Sequence, residues 1–364
     1  MKHKKGLPLI DLYIIKKFLG TFIFMIALIL SISVVFDINE KIDKFISNNA
    51  PLKAIIFDYY INFIPYYGNL FSPLFIFIAV IFFTSKLASN SEIIAILSNG
   101  ISFKRLLRPY MISAAIIALF SFVMSGYVIP PANKTRIEFE ETYVNPNRKK
   151  TSERDIQFKV AKGVNVYYGN FDITTNTGYN FSIDQFDGLN LVSRLTARSI
   201  VYDSLYKWTI KDYQIRDFDG PRESISSGAS IDTIIQITPN DFIVAKYDQQ
   251  MMTNPQLLNH VKSQKERGLG NIQAFQIEFH SRFASVFSAF ILTVIGASLS
   301  ARKVKGGMGL NIGIGLVLSM GYILFMTVSS SFAVNGAMSP LIAAWVPNIV
   351  FIFIAFYIYK RAPN

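Results

Sequence analysis

Residues 306–359 read GGMGLNIGIGLVLSMGYILFMTVSSSFAVNGAMSPLIAAWVPNIVFIFIAFYIY, a run without a single charged side chain. One crossing of a bilayer's hydrocarbon core uses roughly 20 apolar residues, so a run of this length holds two membrane spans and a hairpin. Ser329-Ser-Ser331, Asn335-Gly336 and Ser339-Pro340 cluster where the hairpin belongs. Gly309, Gly313, Gly315 and Gly321 permit close helix packing in the first of these spans, and Lys360-Arg361 closes the second.

Four further spans precede this pair. An uncharged run at 18–36 follows the basic N-terminus and Asp11-Leu-Tyr-Ile-Ile-Lys-Lys17. It is too long for a signal-peptide core and no small-x-small cleavage site follows, so it reads as a retained first span. The second uncharged run, 59–85, contains Pro65 and Pro73, which kink a spanning helix. The third, 109–133, is expected to stop at Pro130-Pro131. The fourth, 283–301, lies between Glu278-Phe-His-Ser-Arg282 and Arg302-Lys303-Val-Lys305.

With 51% hydrophobic residues and a mean hydropathy of +0.34, a purely soluble globule is excluded. The net charge of +12 could suggest nucleic acid, but its placement argues against it. Residues 134–282 hold 19 Lys+Arg and 18 Asp+Glu, whereas the rest of the chain holds 17 and 6, in short segments beside apolar runs. That is a topology signal. Fourteen basic residues fall on one side of the six spans and Lys41, Lys44 and Lys53 on the other, which puts both termini in the cytoplasm of a bacterial inner membrane.

The insertion between spans three and four then faces the periplasm, and its chemistry is different. Period-two patterns (Ile156, Phe158, Val160; Val164, Val166, Tyr168; Trp208, Ile210) alternate with turn signals. These signals are Lys162-Gly163, Gly169-Asn170, Asn176-Thr-Gly178, Asp187-Gly188 and Asp219-Gly220-Pro221. Short antiparallel strands at this spacing predict a sandwich or jelly roll, followed after Thr238-Pro239-Asn240-Asp241 by a polar helix at 254–267. The resulting organisation is 1–133 for three spans, 134–270 for the β domain and 271–364 for three more spans.

Several chemistries find no support. Cysteine is absent, and His3, His260 and His280 have no ligand spacing, so neither a metal nor a nucleophile–base site is expected. There is no Gly-x-x-x-x-Gly-Lys-Ser/Thr phosphate loop, and the span interiors lack the ionisable groups of ion-coupled transporters. The chain reads as a non-enzyme without a cofactor of its own; if it moves something uphill, another subunit supplies the energy.

That subunit would need a docking point, and residues 86–105 offer one. Ser89 and Glu92 have capping-box spacing, Ile93, Ile94, Ile96 and Leu97 recur at helical positions, and Asn99-Gly100 supplies a left-handed stop. The residues alone leave two readings: a helix that receives a push from a soluble partner, or a cap whose isoleucines lie in the interface. Residues 36–44, with Asp37, Glu40, Lys41, Asp43 and Lys44, likewise read as ordinary interfacial anchoring.

The run Ser91-Glu92-Ile93-Ile94-Ala95-Ile96-Leu97-Ser98-Asn99-Gly100-Ile101-Ser102 resembles the coupling segment of the LptF/LptG family of lipopolysaccharide-export permeases. Matches in the same order include Asp11-Leu-Tyr13, Phe36-Asp37, Pro73, Pro130, Thr238-Pro-Asn-Asp-Phe242, Glu278-x-His-x-Arg282 and Ala344-Trp345-Val-Pro347-Asn348. The resemblance implies six transmembrane helices with a periplasmic β-jelly-roll domain inserted between helices 3 and 4. It implies an ABC permease half that pairs with a second LptF/LptG-type permease and a cytoplasmic ATPase dimer, the ATP being bound by the ATPase. It also implies transfer of lipopolysaccharide or lipooligosaccharide to a periplasmic jelly-roll bridge of LptC/LptA type; no nucleic acid is involved.

On the same resemblance, the coupling helix lies near 89–100. Ser91, Glu92, Ile93, Ile94, Ala95, Leu97, Gly100 and Arg105 would serve ATPase coupling, and spans one and five would line a lateral opening. Lys41 and Lys44 would meet lipid A phosphates as point charges, although Glu40 and Asp43 interleave with them. Two rival classes are a mechanotransmission-type ABC membrane subunit and a membrane-anchored assembly or receptor protein without an ATPase.

Overall fold

The structure is a computed structural model that describes residues 8–146, 155–161, 163–172, 175–235, 238–239, 248–266, 272–302 and 307–363. His3, Lys162, Asn240 to Phe242, Arg267 and the basic residues at 2, 4, 5, 303 and 305 lie outside them. Contacts divide the chain into a helical unit (Met1–Pro146, Gln249–Leu257 and Gln273–Asn364) and a β unit (Asn147–Asp248 and Leu258–Ile272).

The helical unit begins with α1 (Leu9–Ser47), an unbroken helix of 39 residues. A short α2 (Leu52–Ala54) passes through a π-helical turn (Ile55–Tyr60) into α3 (Ile61–Leu70), which breaks at Phe71 before α4 (Ser72–Ser89). The seven-residue α5 (Glu92–Ser98) is followed by α6 (Phe103–Val123), a second π turn (Met124–Val128), α7 (Ile129–Phe139) and a third π turn (Glu140–Val144). Then come α8 (Asp248–Met251) and α9 (Asn254–Glu266), of which Asp248 and residues 258–266 fall in the β unit, and α10 (Gln273–Ser300), α11 (Gly307–Val334) and α12 (Pro340–Lys360). Among the described residues, six helices are long and apolar enough to cross a membrane: Leu9–Ser47, Ser72–Ser89, Phe103–Val144, Gln273–Ser300, Gly309–Val334 and Pro340–Lys360. The hairpin between the last two turns at Gly336 (φ 77°), and the Ser339 hydroxyl caps α12.

Two local expectations are corrected. Pro130-Pro131 does not stop the third span. The prolines fall just after a π turn, whose shifted bonding accommodates them and lets the helix run on to Val144. Nor do Ser89 and Glu92 form a capping box. Ser89 is the last residue of α4, and α5 starts after Ser91 in a left-handed conformation (φ 63°).

Buried side chains from α1, α4, α6 and α10 form the main core, with Phe18, Phe75, Ala79, Val80 and Tyr110 at its centre. A second core joins α4 and α10 to α11 and α12 through Phe77, Ile81, Leu292, Ile295, Tyr322 and Phe351. The glycines of α11 separate into two kinds. A side chain at Gly315 would collide with Ile81 and Phe77 of α4, whereas Gly309, Gly313 and Gly321 face open space.

The β unit is one antiparallel sheet of seven strands: β1 (Ile156–Ala161), β2 (Val164–Tyr168), β3 (Asn170–Asp172), β4 (Thr177–Asp187), β5 (Asn190–Ser204), β6 (Lys207–Asp219) and β7 (Arg222–Ile234). The order is β1-β2-β4-β5-β6-β7, with β3 paired to β4, and left-handed Gly163, Gly188 and Gly220 make turns that the sequence marked. Tyr168 of β2 and Trp208 of β6 are each 1% exposed and belong to one core. Yet they stand three ladder steps of roughly 4.8 Å apart. One apolar core therefore runs along a face of the sheet across β2, β4, β5 and β6. The all-β insertion is thus present, as one antiparallel sheet among the described residues.

Candidate functional site

α1 carries a polar cluster at each end, and both lie inside the helical unit. At the N-terminal end, Ile93 of α5 is fully buried against Leu87, Ala88, Phe103 and Leu106, with Ile96 and Leu97 packed beside it. Ser91, Ile94, Ala95 and Gly100 remain exposed. The helical recurrence seen in the sequence therefore has two faces: Ile93 and Leu97 hold α5 onto its own bundle, and Ser91, Ile94 and Ala95 stay open. Gly100 (φ 84°) ends the helix as expected, and the Ser102 hydroxyl caps α6.

Two hydrogen-bonded ties join this segment to α1. The Arg105 guanidinium donates to both oxygens of Asp11, at 2.9 and 2.9 Å. Asp11 is 1% exposed, so the bidentate pair compensates a carboxylate held away from water. At the other end of the segment, Glu92 accepts from the Tyr13 hydroxyl at 3.1 Å and the Asn90 amide at 3.1 Å. Asp11 and Tyr13 were quoted in the sequence only as a family-like pattern. Nothing local says that they reach residues 79 and 94 positions away.

At the far end of α1, thirty residues and about 45 Å further along, Lys41 lies in a second cluster. Its ammonium donates to Asp37 at 2.6 Å and to the Tyr59 hydroxyl, lies 3.8 Å from Glu140, and sits over the Tyr59 ring at 4.8 Å. Asp37 also accepts from the hydroxyls of Tyr59 (3.2 Å) and Tyr60 (3.0 Å). Consecutive tyrosines reach one carboxylate because they leave a π turn. Glu140, which opens the third π turn, accepts from buried Arg136 at 2.7 Å. Arg136 donates in turn to Asn133 and stacks 4.7 Å over Tyr66. Phe45, Phe63 and Phe139 wall the cluster. Two cations and two carboxylates make it neutral, so Lys41 is engaged, whereas Lys44 is exposed. The two lysines that the sequence paired stand in different surroundings.

A second buried arginine orders the first turns of α10. Arg282 donates to Glu278 (2.9 Å), to the Met252 carbonyl (2.9 Å) and to Asn254 (2.9 Å), which fastens the start of α9 to α10. On α12, Asn348 accepts from Tyr322 of α11 and donates to the Ala284 carbonyl of α10, binding three apolar helices through one amide. Among the described residues, no group of three or more His, Asp or Glu side chains could hold a metal ion.

Six membrane-length helices among the described residues, an inserted antiparallel sheet and a short helix between two spans have the make-up of a multi-pass membrane protein. The family model for the lipopolysaccharide export system permease LptF/LptG matches residues 12–361, and the chain belongs to that family. No curated protein matches it closely enough to add a named relative.

Proposed function

We propose that this chain is one permease half of an ABC transporter that extracts lipopolysaccharide or lipooligosaccharide from the inner membrane and passes it to a periplasmic bridge. A second permease of the same family completes the pore, and a cytoplasmic ATPase dimer supplies the energy. The basic helix ends and both termini face the cytoplasm, and the β unit faces the periplasm.

The observation that carries this reading is the pair of ties from α1 to residues on either side of the 99–102 turn, Tyr13–Glu92 to α5 and Asp11–Arg105 to the first turn of α6. A push delivered to exposed Ser91, Ile94 and Ala95 is passed through Ile93 to the bundle and through the two ties to α1. α1 and α11 have the least buried spanning windows, 17% and 22%, and so offer the most surface to a second permease and to lipid. Gly309 and Gly313, which face open space on α11, suit close approach of a partner helix. Lys44 is the first cation available to a lipid phosphate, and Lys41 joins only when phosphate displaces Asp37. Exposed β7, with Ile225, Ile231 and Ile234, suits edge-to-edge pairing with a bridge sheet.

The test is protein and lipid mass spectrometry on the tagged chain gently extracted from its native membrane. A co-purifying ABC ATPase, a second six-span permease and a lipid A glycolipid are expected. An ATPase without glycolipid would favour mechanotransmission, and loss of both would favour an assembly protein. Glu92→Arg is expected to weaken ATPase association in a chain that still folds.

A further inference from the structure

A polar cavity of about 150 Å³ lies inside the helical unit, where α3 breaks from α4. Asn69 and Pro73 line it from the two sides of the break, Ser121 from α6, Ser125 from the second π turn and Ser285 from α10. Glu278 and Arg282 of α10 line it as well, and they form an ion pair at 2.9 Å. The charged groups of the wall therefore cancel, which gives neither an anion nor a cation a net attraction. Hydrocarbon suits it no better, because an acyl chain would leave hydroxyls, amides and an ion pair facing methylene groups.

The hydroxyls have already committed their protons. Ser125 donates to the Phe122 carbonyl (3.2 Å), Ser285 to the Arg282 carbonyl (2.8 Å) and Ser121 to the Asn69 side chain. Pro73 has no N–H for the Asn69 carbonyl, its partner in a regular helix. What these groups still offer is oxygen lone pairs, which suit a small neutral ligand that brings protons. Water does so, and at roughly 30 Å³ per molecule the cavity takes about five.

On its other side, Arg282 grips the segment that precedes α9. Its guanidinium donates to the carbonyls of Met252 (2.9 Å) and Gln249 (3.4 Å) and to the Asn254 side chain (2.9 Å). Asn254 is pressed between that guanidinium and Gly126, where a Cβ would lie 2.7 Å from the Asn254 amide nitrogen. The Arg282 side chain is 4% exposed, so breaking these bonds in a dry surrounding would strand a buried cation. Water in the adjoining cavity replaces each broken bond with one of its own.

We infer that this cavity is a site for a cluster of about five waters, and that the cluster makes Arg282 a releasable latch on residues 249–254. α9 runs from Asn254 as one helix to Glu266, so release frees the start of α9 from α10.

Radiolytic hydroxyl-radical labelling of the full chain in nanodiscs, read by mass spectrometry, reports which buried side chains touch water. Tyr322 lines the cavity and Tyr110 lies in the apolar main core, at 2% and 1% exposure, so burial alone predicts equal labelling. Tyr322 is expected to be oxidised about tenfold faster. Ser285→Leu, which puts an isobutyl group into the cavity, should bring Tyr322 down to the Tyr110 rate and slow amide hydrogen exchange in residues 251–257 about tenfold. Ser285→Ala should leave both within about twofold of the wild type. Ser121→Leu fills the cavity from α6 and takes the place of Ser285→Leu if that chain does not elute as a single species. Equal labelling of the two tyrosines would overturn the water site, and a rise at Tyr322 only after delipidation would assign the cavity to an acyl chain instead. Exchange at 251–257 that is indifferent to filling would overturn the latch. These readouts need neither an ATPase nor a glycolipid, so failure here and failure of the transporter reading are distinguishable.

Discussion

The two ends of α1 are fastened in opposite ways. The far end is held by a closed network in which Asp37, Lys41, Glu140 and Arg136 compensate one another among Tyr59, Tyr60 and Phe139. At the near end Ile14 and Phe18 enter the main core, and the polar links are two separate ties, Asp11 to Arg105 of α6 and Tyr13 to Glu92 of the seven-residue α5. Loss of any one bond leaves the far cluster its other polar bonds, whereas each near tie is a single polar link beside an apolar core. The contrast is that of an anchored end and a working end on one rod, whose clusters stand about as far apart as a bilayer with its headgroups is thick.

The largest test of this contrast is Lys41→Met, which leaves the partly buried Asp37 carboxylate without its cation. We expect a loss of about 2–3 kcal/mol in unfolding free energy in detergent, and substantial recovery when Asp37→Asn is added. A small effect would mean that the far end is no anchor. Next comes Arg105→Ala, which should change the melting temperature less than Lys41→Met and yet lower lipid moved per ATP about tenfold in a reconstituted transporter. The exchange Asp11→Arg with Arg105→Asp should restore part of that ratio, and equal damage to stability and coupling would erase the distinction between the ends. Salt sharpens it further. At 1 M ionic strength the screening length is about 3 Å, so the partly exposed Asp11–Arg105 tie should weaken and the Lys41 cluster should not. This can be followed as salt-dependent crosslinking between cysteines placed at positions 12 and 95. The smallest effect is expected for Tyr13→Phe, about twofold in coupling with unchanged ATPase association, because it removes one half-exposed hydrogen bond.

Much of the fold was legible because membrane spans and strands announce themselves through local period and charge. The uncharged run at 306–359 does become α11, the Gly336 turn and α12, and Gly163, Gly188 and Gly220 do turn the sheet. The failures share one cause: a helix continued where local chemistry advised a stop. Pro130-Pro131 follows a π turn, and Ser89 is still inside α4, held by buried Leu87 and Ala88. The site was only half legible. Asp37 and Lys41 are four apart and could be paired on paper. Tyr59 and Glu140 reach the same cluster from other helices, and Arg105 finds Asp11 across 94 positions, distances over which spacing carries no information. The Ile93 to Leu97 stripe, likewise, did not say which side would face its own bundle.

The sheet ends at β7, thirteen residues whose side chains are exposed along nearly their whole length and whose outer backbone groups have no ladder partner among the described residues. Such an edge accepts any extended strand, including the β7 of another copy. Cells therefore face a dosage constraint. Chains made in excess of whatever covers β7 would carry mutually compatible edges at high local concentration, so balanced synthesis of the covering partner would matter as much as its affinity.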